Sequence, residues 1–231
     1  MIRAALEYIN GLKEPTIKEI DGNTYSDKPL NRISYVPYAS TIEMKTLSSL
    51  VEYIKANIDS MSEKMIVHVV SPTEVQLYSA LDTDRNREYL VEVNAELPDF
   101  RFGSFIDHES FVIALQSKFI SNADRELVLK FAGTVAQYGD DGVTQKATVK
   151  TGLASKADAV VPNPVNLIPY RTFLEVQQPA SDFIFRMKSA NGVQCTIFEA
   201  DGGAWKNEAM DNIKEYLKNE LADLKQFTVI S

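Results

Sequence analysis

The fold is decided by one stretch of the chain, DFIFRMKSANGVQCTIF, at residues 182–198. It contains Asn191-Gly192 between two β-rich runs, which is the strongest short-range pattern for a β-hairpin. We therefore predict two antiparallel strands, Asp182 to Lys188 and Val193 to Phe198. The rest of the chain has to supply further strands for this hairpin and helices to cover it.

Four helices are predicted from apolar residues that recur three and four positions apart. Three lie in the middle of the chain, one capped by Thr46, one by Asp107, and one by a capping pair of Ser121 and Asp124. The fourth lies near the C-terminus, and its apolar face consists of Trp205, Ala209, Ile213, Leu217 and Leu221.

Further strands are predicted where β-rich residues alternate with period two. They are Met65–Ser71, Thr73–Leu81, Tyr89–Ala95, Val143–Thr151, Thr172–Val176 and, at an edge, Phe227–Ile230. The pattern predicts an α+β fold, in which a mainly antiparallel sheet, in one part or two, is packed by three central helices and a C-terminal helix. We expect a single domain over residues 1–231, with a candidate internal boundary near residues 158–170, where prolines cluster.

Composition excludes several classes of protein. The single cysteine, Cys195, can form no internal disulfide, and no run approaches the ~20 apolar residues of a membrane helix. The N-terminus lacks the apolar core of a signal peptide, so we expect a cytoplasmic protein. A net charge of −8 without a basic segment disfavours direct nucleic-acid binding.

The last third of the chain contains two distinctive stretches, NPVNLIPYRTFLEVQQPASDFIFRMK at 163–188 and FEADGGAWKNEAMDNIKEYL at 198–217. With them the chain resembles the YfdQ-like family of phage and prophage proteins, a domain of unknown function. LSSLVEYI at 47–54, GSFIDHESFVIALQSKF at 103–119 and GDDGVTQKATVKTG at 139–152 extend the resemblance. It implies a phage-encoded protein of the host cytoplasm, with no catalytic residues and no cofactor to carry over.

Basic residues on one predicted strand face form the first candidate ligand site. Alternation along 143–151 places Lys146 and Lys150 on the same face as Thr144 and Thr148. Arg171 and Arg186 would extend this face into a phosphate pocket if they converged on it. The alternative is a solvated strand face whose lysines guard against edge pairing.

A second candidate is the start of the C-terminal helix. Gly202 and Gly203 precede it, and a helix N-terminus offers unpaired N–H groups to an anion, which Lys206 would assist. The string lacks the Walker and dinucleotide-binding spacings, so a tight strand-to-helix connection is the competing interpretation. Trp205 would stack a base or, as its spacing favours, pack in the core.

Acidic and histidine-containing groups indicate a metal site less strongly. Asp107-His108-Glu109 is also explained as a helix cap and a favourable first turn. A carboxylate cluster of Asp140, Asp141, Glu199 and Asp201 would hold magnesium, but these residues also suit turns. We therefore predict no metal and no catalytic thiol at Cys195.

These patterns favour a phage-encoded binding protein over an enzyme. We expect it to modulate the host by sequestering a phosphate-bearing small molecule or by binding a host defence component, and a homo-oligomer is suggested by exposed sheet edges. One alternative is an accessory factor of phage DNA replication or recombination. A metal-dependent hydrolase is the third hypothesis.

Overall fold

The computed structural model describes the following residues: 2–28, 38–61, 63–82, 85–137, 153–154, 160–161, 163–189 and 192–231. The chain divides into two compact units, Met1–Tyr38 and Ala39–Ser231. The division follows Tyr38, a position that the composition of the chain does not mark as a boundary. The candidate boundary near residues 158–170 lies inside the second unit. A single domain over 1–231 stays a prediction.

The first unit consists of a helix and a hairpin. Helix α1 spans Ile2–Leu12, and strands β1 (Ile17–Ile20) and β2 (Asn23–Ser26) pair antiparallel. Asp21 and Gly22 between the strands have φ angles of 52° and 75°. Two successive positive φ angles characterise the type I′ turn, whose twist matches that of the strands. Residues 2–9 and 11–27 are all exposed, so they form no core.

Five strands form the first sheet of the second unit: β3 (Ile42–Met44), β4 (Met65–Ser71), β5 (Glu74–Ser79), β6 (Tyr89–Asn94) and β13 (Phe227–Ile230). Their order is β13-β4-β5-β6-β3. The central three strands are antiparallel, and the two edge strands join them in parallel. The predicted edge strand at Phe227–Ile230 is confirmed.

Helices α2 (Leu47–Ala56) and α5 (Trp205–Glu220) contribute to the core of this sheet. Thr46 caps α2 as predicted, because its side chain accepts a hydrogen bond from the Ser49 amide. The buried residues include Leu50, Ile54, Val67, Leu77, Val91, Ile213 and Leu217. Each such side chain contributes about 1.5–3 kcal/mol when it is fully buried. Helix α5 is therefore held by the face that its sequence spacing predicts.

Four strands form the second sheet: β7 (Ile106–Asp107), β10 (Val165–Leu167), β11 (Ser181–Ser189) and β12 (Val193–Glu199). Their order is β10-β11-β12-β7, and every pairing is antiparallel. Phe185 pairs with Ile197, which confirms the predicted hairpin strands. Two further short strands, β8 (Leu153–Ala154) and β9 (Val160–Val161), pair with each other.

Helices α3 (His108–Lys118) and α4 (Ala123–Gln137) pack with this second sheet. The core that they share is rich in phenylalanine and contains Phe111, Phe119, Phe131, Phe183 and Phe185. Asp107 caps α3 as predicted, since its carboxylate accepts from the Ser110 amide at 2.9 Å. In α4 the cap differs from the prediction, because Asn122 rather than Ser121 accepts from the Arg125 amide.

The predicted α+β class and the mainly antiparallel sheets are confirmed, but the strand expected at Thr172–Val176 is wrong. The buried side chain of Gln178 takes the backbone groups that a sheet partner would need. Its Oε1 accepts from the Arg171 and Thr172 amides, and its Nε2 donates to the carbonyls of Thr172, Phe173 and Val176. The strand predicted at Val143–Thr151 lies outside the described residues.

Candidate functional site

The segment from Pro169 to Ala180 joins β10 to β11 of the second sheet and carries the predicted ligand residue Arg171. Its first part lies beside α3, where the Tyr170 amide donates to the Lys118 carbonyl at 3.0 Å. Further along, Phe173 and Val176 are buried in the core of the first sheet. Arg171 therefore lies where the two halves of the second unit meet.

Arg171 is 7% exposed and is bound by the chain itself. Its Nη1 donates to the Glu199 carboxylate at 2.9 Å, and its Nη2 donates to Ser181. The guanidinium lies 4.1 Å from the ring centre of Trp205 and 5.6 Å from that of Phe183. Such contacts stabilise a buried cation by up to about 2 kcal/mol.

The charge of Arg171 is largely balanced within the protein. Burial lowers the pKa of Arg171 to about 10, although the carboxylates of Glu199 and Asp201 act in the opposite direction. The guanidinium therefore stays charged at neutral pH beside two anions. Its Nε is buried and has no hydrogen-bond acceptor.

Near the start of α5, the carboxylate of Asp201 occupies the place where the sequence predicts a bound anion. Asp201 accepts from the Gly203 amide at 3.0 Å and from the Ser181 hydroxyl at 2.5 Å. Burial raises the pKa of Asp201, but these hydrogen bonds and the charge of Arg171 outweigh that effect and leave it below its usual value. A ligand at Gly203 would have to displace this carboxylate. Gly202 and Gly203 have φ angles of 64° and 84°, which suit a tight connection.

The other predicted ligand residues do not gather at Arg171. Lys206 has an exposed side chain, and its amide donates to the Gly203 carbonyl. Arg186 lies on β11 five residues beyond Ser181, which is about 17 Å along an extended strand and on the opposite face. Its guanidinium donates to the Phe185 carbonyl at 2.9 Å. Lys146 and Lys150 lie outside the described residues.

A cleft of about 340 Å³ opens beside Arg171. Its walls come from three separate parts of the chain: the loop after β6, the end of α3, and the start of the segment that follows β10. The lining residues are Leu97, Pro98, Asp99, Phe100, Phe102, Lys118, Pro169, Tyr170 and Arg171. Of the predicted ligand residues that the structure describes, Arg171 alone contributes to it.

Aromatic rings form one side of the cleft. The Phe100 and Phe102 ring centres are 5.0 Å apart with an edge-to-face geometry. Phe102 in turn stacks on Phe183 at 5.3 Å, and the stack continues through Arg171 to Trp205. Trp205 is half-buried at the far end of the stack, where it contacts the Arg171 cation, and it is in neither hydrophobic core, so the predicted core packing of this residue is not confirmed.

Lys118 supplies a positive charge and hydrogen-bond donors to the cleft. It is the last residue of α3, a position where a cation is favoured by the helix dipole. Its ammonium donates to the Asp99 carbonyl, and an ammonium has three N–H donors in all. The sequence patterns missed Lys118, Phe100, Phe102 and Tyr170. Two phenylalanines in a proline-containing loop, LPDFRF at 97–102, are the signal that would have indicated them.

Three of the residues considered for metal chemistry have other contacts: Asp107 caps α3, Glu199 pairs with Arg171, and Asp201 accepts from Ser181. Within the described part of the chain, no three His, Cys, Asp or Glu side chains lie close enough to hold a metal ion. Asp140 and Asp141 lie outside that part. Cys195 is buried, and desolvation, with a smaller effect of Asp107, raises its pKa to about 12. A nucleophilic cysteine requires the opposite shift.

Comparisons with family models, curated proteins and solved structures give no match. The resemblance to the YfdQ-like family therefore stays a prediction from the sequence. No helix among the residues described here is long and apolar enough to cross a membrane.

Proposed function

We propose that the protein binds a small phosphate-bearing molecule in the cleft beside Lys118. On this proposal it is a phage-encoded protein of the host cytoplasm that modulates the host by sequestering such a molecule. The phage origin rests on the sequence resemblance alone. The cleft is the observation that carries the binding, because its size and lining suit a small ligand.

The dimensions of the cleft support this choice. Sites for small molecules typically measure 300–1,000 Å³ and combine apolar walls with a few placed polar groups. At about 340 Å³ the cleft lies at the lower end of that range, which suits a ligand of mononucleotide size. Phe100, Phe102 and Tyr170 would contact a planar ring, and the Lys118 ammonium would contact an anion.

The charges in the cleft favour a small ligand that carries one anionic group. Glu199 balances Arg171, so Lys118 is the cation whose charge is available to a ligand. Asp99 at the rim opposes a second negative group. This single-cation arrangement fits a small molecule better than a nucleic-acid backbone, for which clustered Lys and Arg are needed. The role in DNA replication or recombination is therefore the weaker alternative.

Calorimetric titration with four defined probes tests the proposal: AMP, UMP, ribose 5-phosphate and adenosine. AMP or UMP should bind more tightly than ribose 5-phosphate or adenosine, because only the nucleotides use both the rings and Lys118. Lys118→Gln should weaken binding about 10- to 100-fold, since a hydrogen bond to a charged group contributes about 1.5–3 kcal/mol. If none of the four probes binds saturably, the proposal is wrong.

Lys206→Gln is the matched control, because it removes the same charge from the start of α5. We expect it to leave the affinity unchanged. If Lys206→Gln weakened binding and Lys118→Gln did not, the ligand would lie at the helix N-terminus and the assignment to the cleft would be wrong.

A further inference from the structure

We propose that α1 pairs with α1 of a second copy of this chain, so that the protein forms a dimer through its first unit. The apolar residues of α1 recur at spacings of three, four and three: Ile2, Ala5, Ile9 and Leu12. This is the a/d spacing of a helix that packs against another helix. Leu6 lies beside this row and widens the apolar face.

The apolar face of α1 is uncovered within the first unit. Ile2 is 80% exposed, Leu6 56%, Ile9 55% and Leu12 68%. An amphipathic helix normally buries such a face against a core. Units below about 40 residues usually need a disulfide, a metal or oligomerisation to be stable. The first unit has no cysteine for a disulfide, and association with a second copy would bury this face.

The area available is sufficient for a reversible dimer. With Tyr8, which is 70% exposed, α1 presents five large side chains that are more than half exposed. At roughly 100 Å² each, two copies would bury about 1,000 Å², which is the lower limit for a specific interface. We therefore expect a dimer that dissociates at micromolar concentrations rather than a permanent one.

The charges of α1 favour a second copy over a lipid surface. Its charged side chains are Arg3 and Glu7, which form an ion pair at 3.2 Å on the polar side of the helix. Two such helices therefore approach without like charges in the seam, and a two-fold dimer needs only this self-complementary face. Helices that lie on membranes carry several Lys or Arg residues on the polar face, and α1 carries one.

Sedimentation equilibrium of the full chain, at concentrations from about 1 μM upwards, tests the pairing. The wild type should show a monomer–dimer equilibrium around the chain mass of 25.9 kDa. Ile9→Glu places a charge in the seam and should weaken the dimer at least 10-fold. Ala4→Glu places the same charge outside the row of Ile2, Ala5, Ile9 and Leu12 and should dimerise more strongly than Ile9→Glu.

Three results would overturn the pairing. They are a wild type that stays monomeric at all concentrations, an Ile9→Glu variant that dimerises as well as Ala4→Glu, and wild-type binding to phosphatidylglycerol vesicles that Ile9→Glu abolishes. Because Ile9 is an exposed residue of the first unit, Ile9→Glu should keep the thermal unfolding of the second unit. That measurement separates loss of pairing from unfolding of the second unit. Nucleotide titration of the same variants separates the pairing from ligand binding in the cleft.

Discussion

Replacing Gln178 with leucine should destabilise the second unit. Gln178 is 5% exposed, and its amide group makes five hydrogen bonds to the backbone of its own loop. Leucine has a similar volume and would keep the packing. Gln178→Leu therefore removes the hydrogen bonds without opening a large cavity.

The magnitude follows from the groups that lose their partner. The amides of Arg171 and Thr172 donate to Oε1 at 3.0 and 3.2 Å, and both residues are buried. A buried donor without an acceptor costs about 1–3 kcal/mol, so for the two donors we expect a loss of about 2–6 kcal/mol in the free energy of unfolding. In a unit of this size that loss lowers the melting temperature by about 10 °C.

Urea unfolding followed by circular dichroism and by tryptophan fluorescence measures this loss. Trp205 is the only tryptophan, and its ring lies 4.1 Å from the Arg171 guanidinium, so fluorescence reports on the end of the loop. Gln177→Leu is the matched control, because the neighbouring Gln177 is exposed. If Gln178→Leu and Gln177→Leu differ by less than about 1 kcal/mol, the side chain does not organise the loop as we infer.

Three further predictions concern single groups. Cys195, with its pKa raised to about 12, should stay unreactive to a thiol-specific disulfide reagent at pH 8 until denaturant is added, and rapid native labelling would contradict its burial. Asp99→Asn should raise the affinity of the cleft for AMP a few-fold in calorimetry, because it removes a negative charge from the rim; unchanged affinity would place the phosphate elsewhere. Asp201→Asn should destabilise the protein at neutral pH. Folding lowers the pKa of Asp201, so its negative charge stabilises the fold at pH values above the unfolded pKa of about 3.9. The difference in unfolding free energy between Asp201→Asn and the wild type should therefore shrink as the pH falls below about 3.9. A difference that stays constant would refute the prediction.

The elements that the sequence predicts correctly are those with local patterns. Asn191-Gly192 and its flanking runs indicate the hairpin, and Thr46 and Asp107 indicate two helix starts, because each pattern depends on residues a few positions apart. The strand predicted at Thr172–Val176 fails for the opposite reason. Its backbone partners are supplied by the side chain of Gln178, and no period or propensity describes such a contact.

The sequence predicts one of the residues that line the candidate site. Arg171 lines the cleft as a predicted ligand residue, but Glu199, 28 positions away in sequence, balances its charge. Lys118 and the loop at 97–102 reach the cleft only through the packing of α3 and the second sheet. Spacing along the chain therefore does not indicate that these three parts meet.

Native mass spectrometry of the protein purified from cells that express it tests the central claim most directly. We predict that the wild type retains a phosphate-bearing small molecule and that Lys118→Gln loses it, whereas Lys206→Gln keeps it. A wild type that carries no small molecule, or equal occupancy in the wild type and Lys118→Gln, would contradict binding in the cleft.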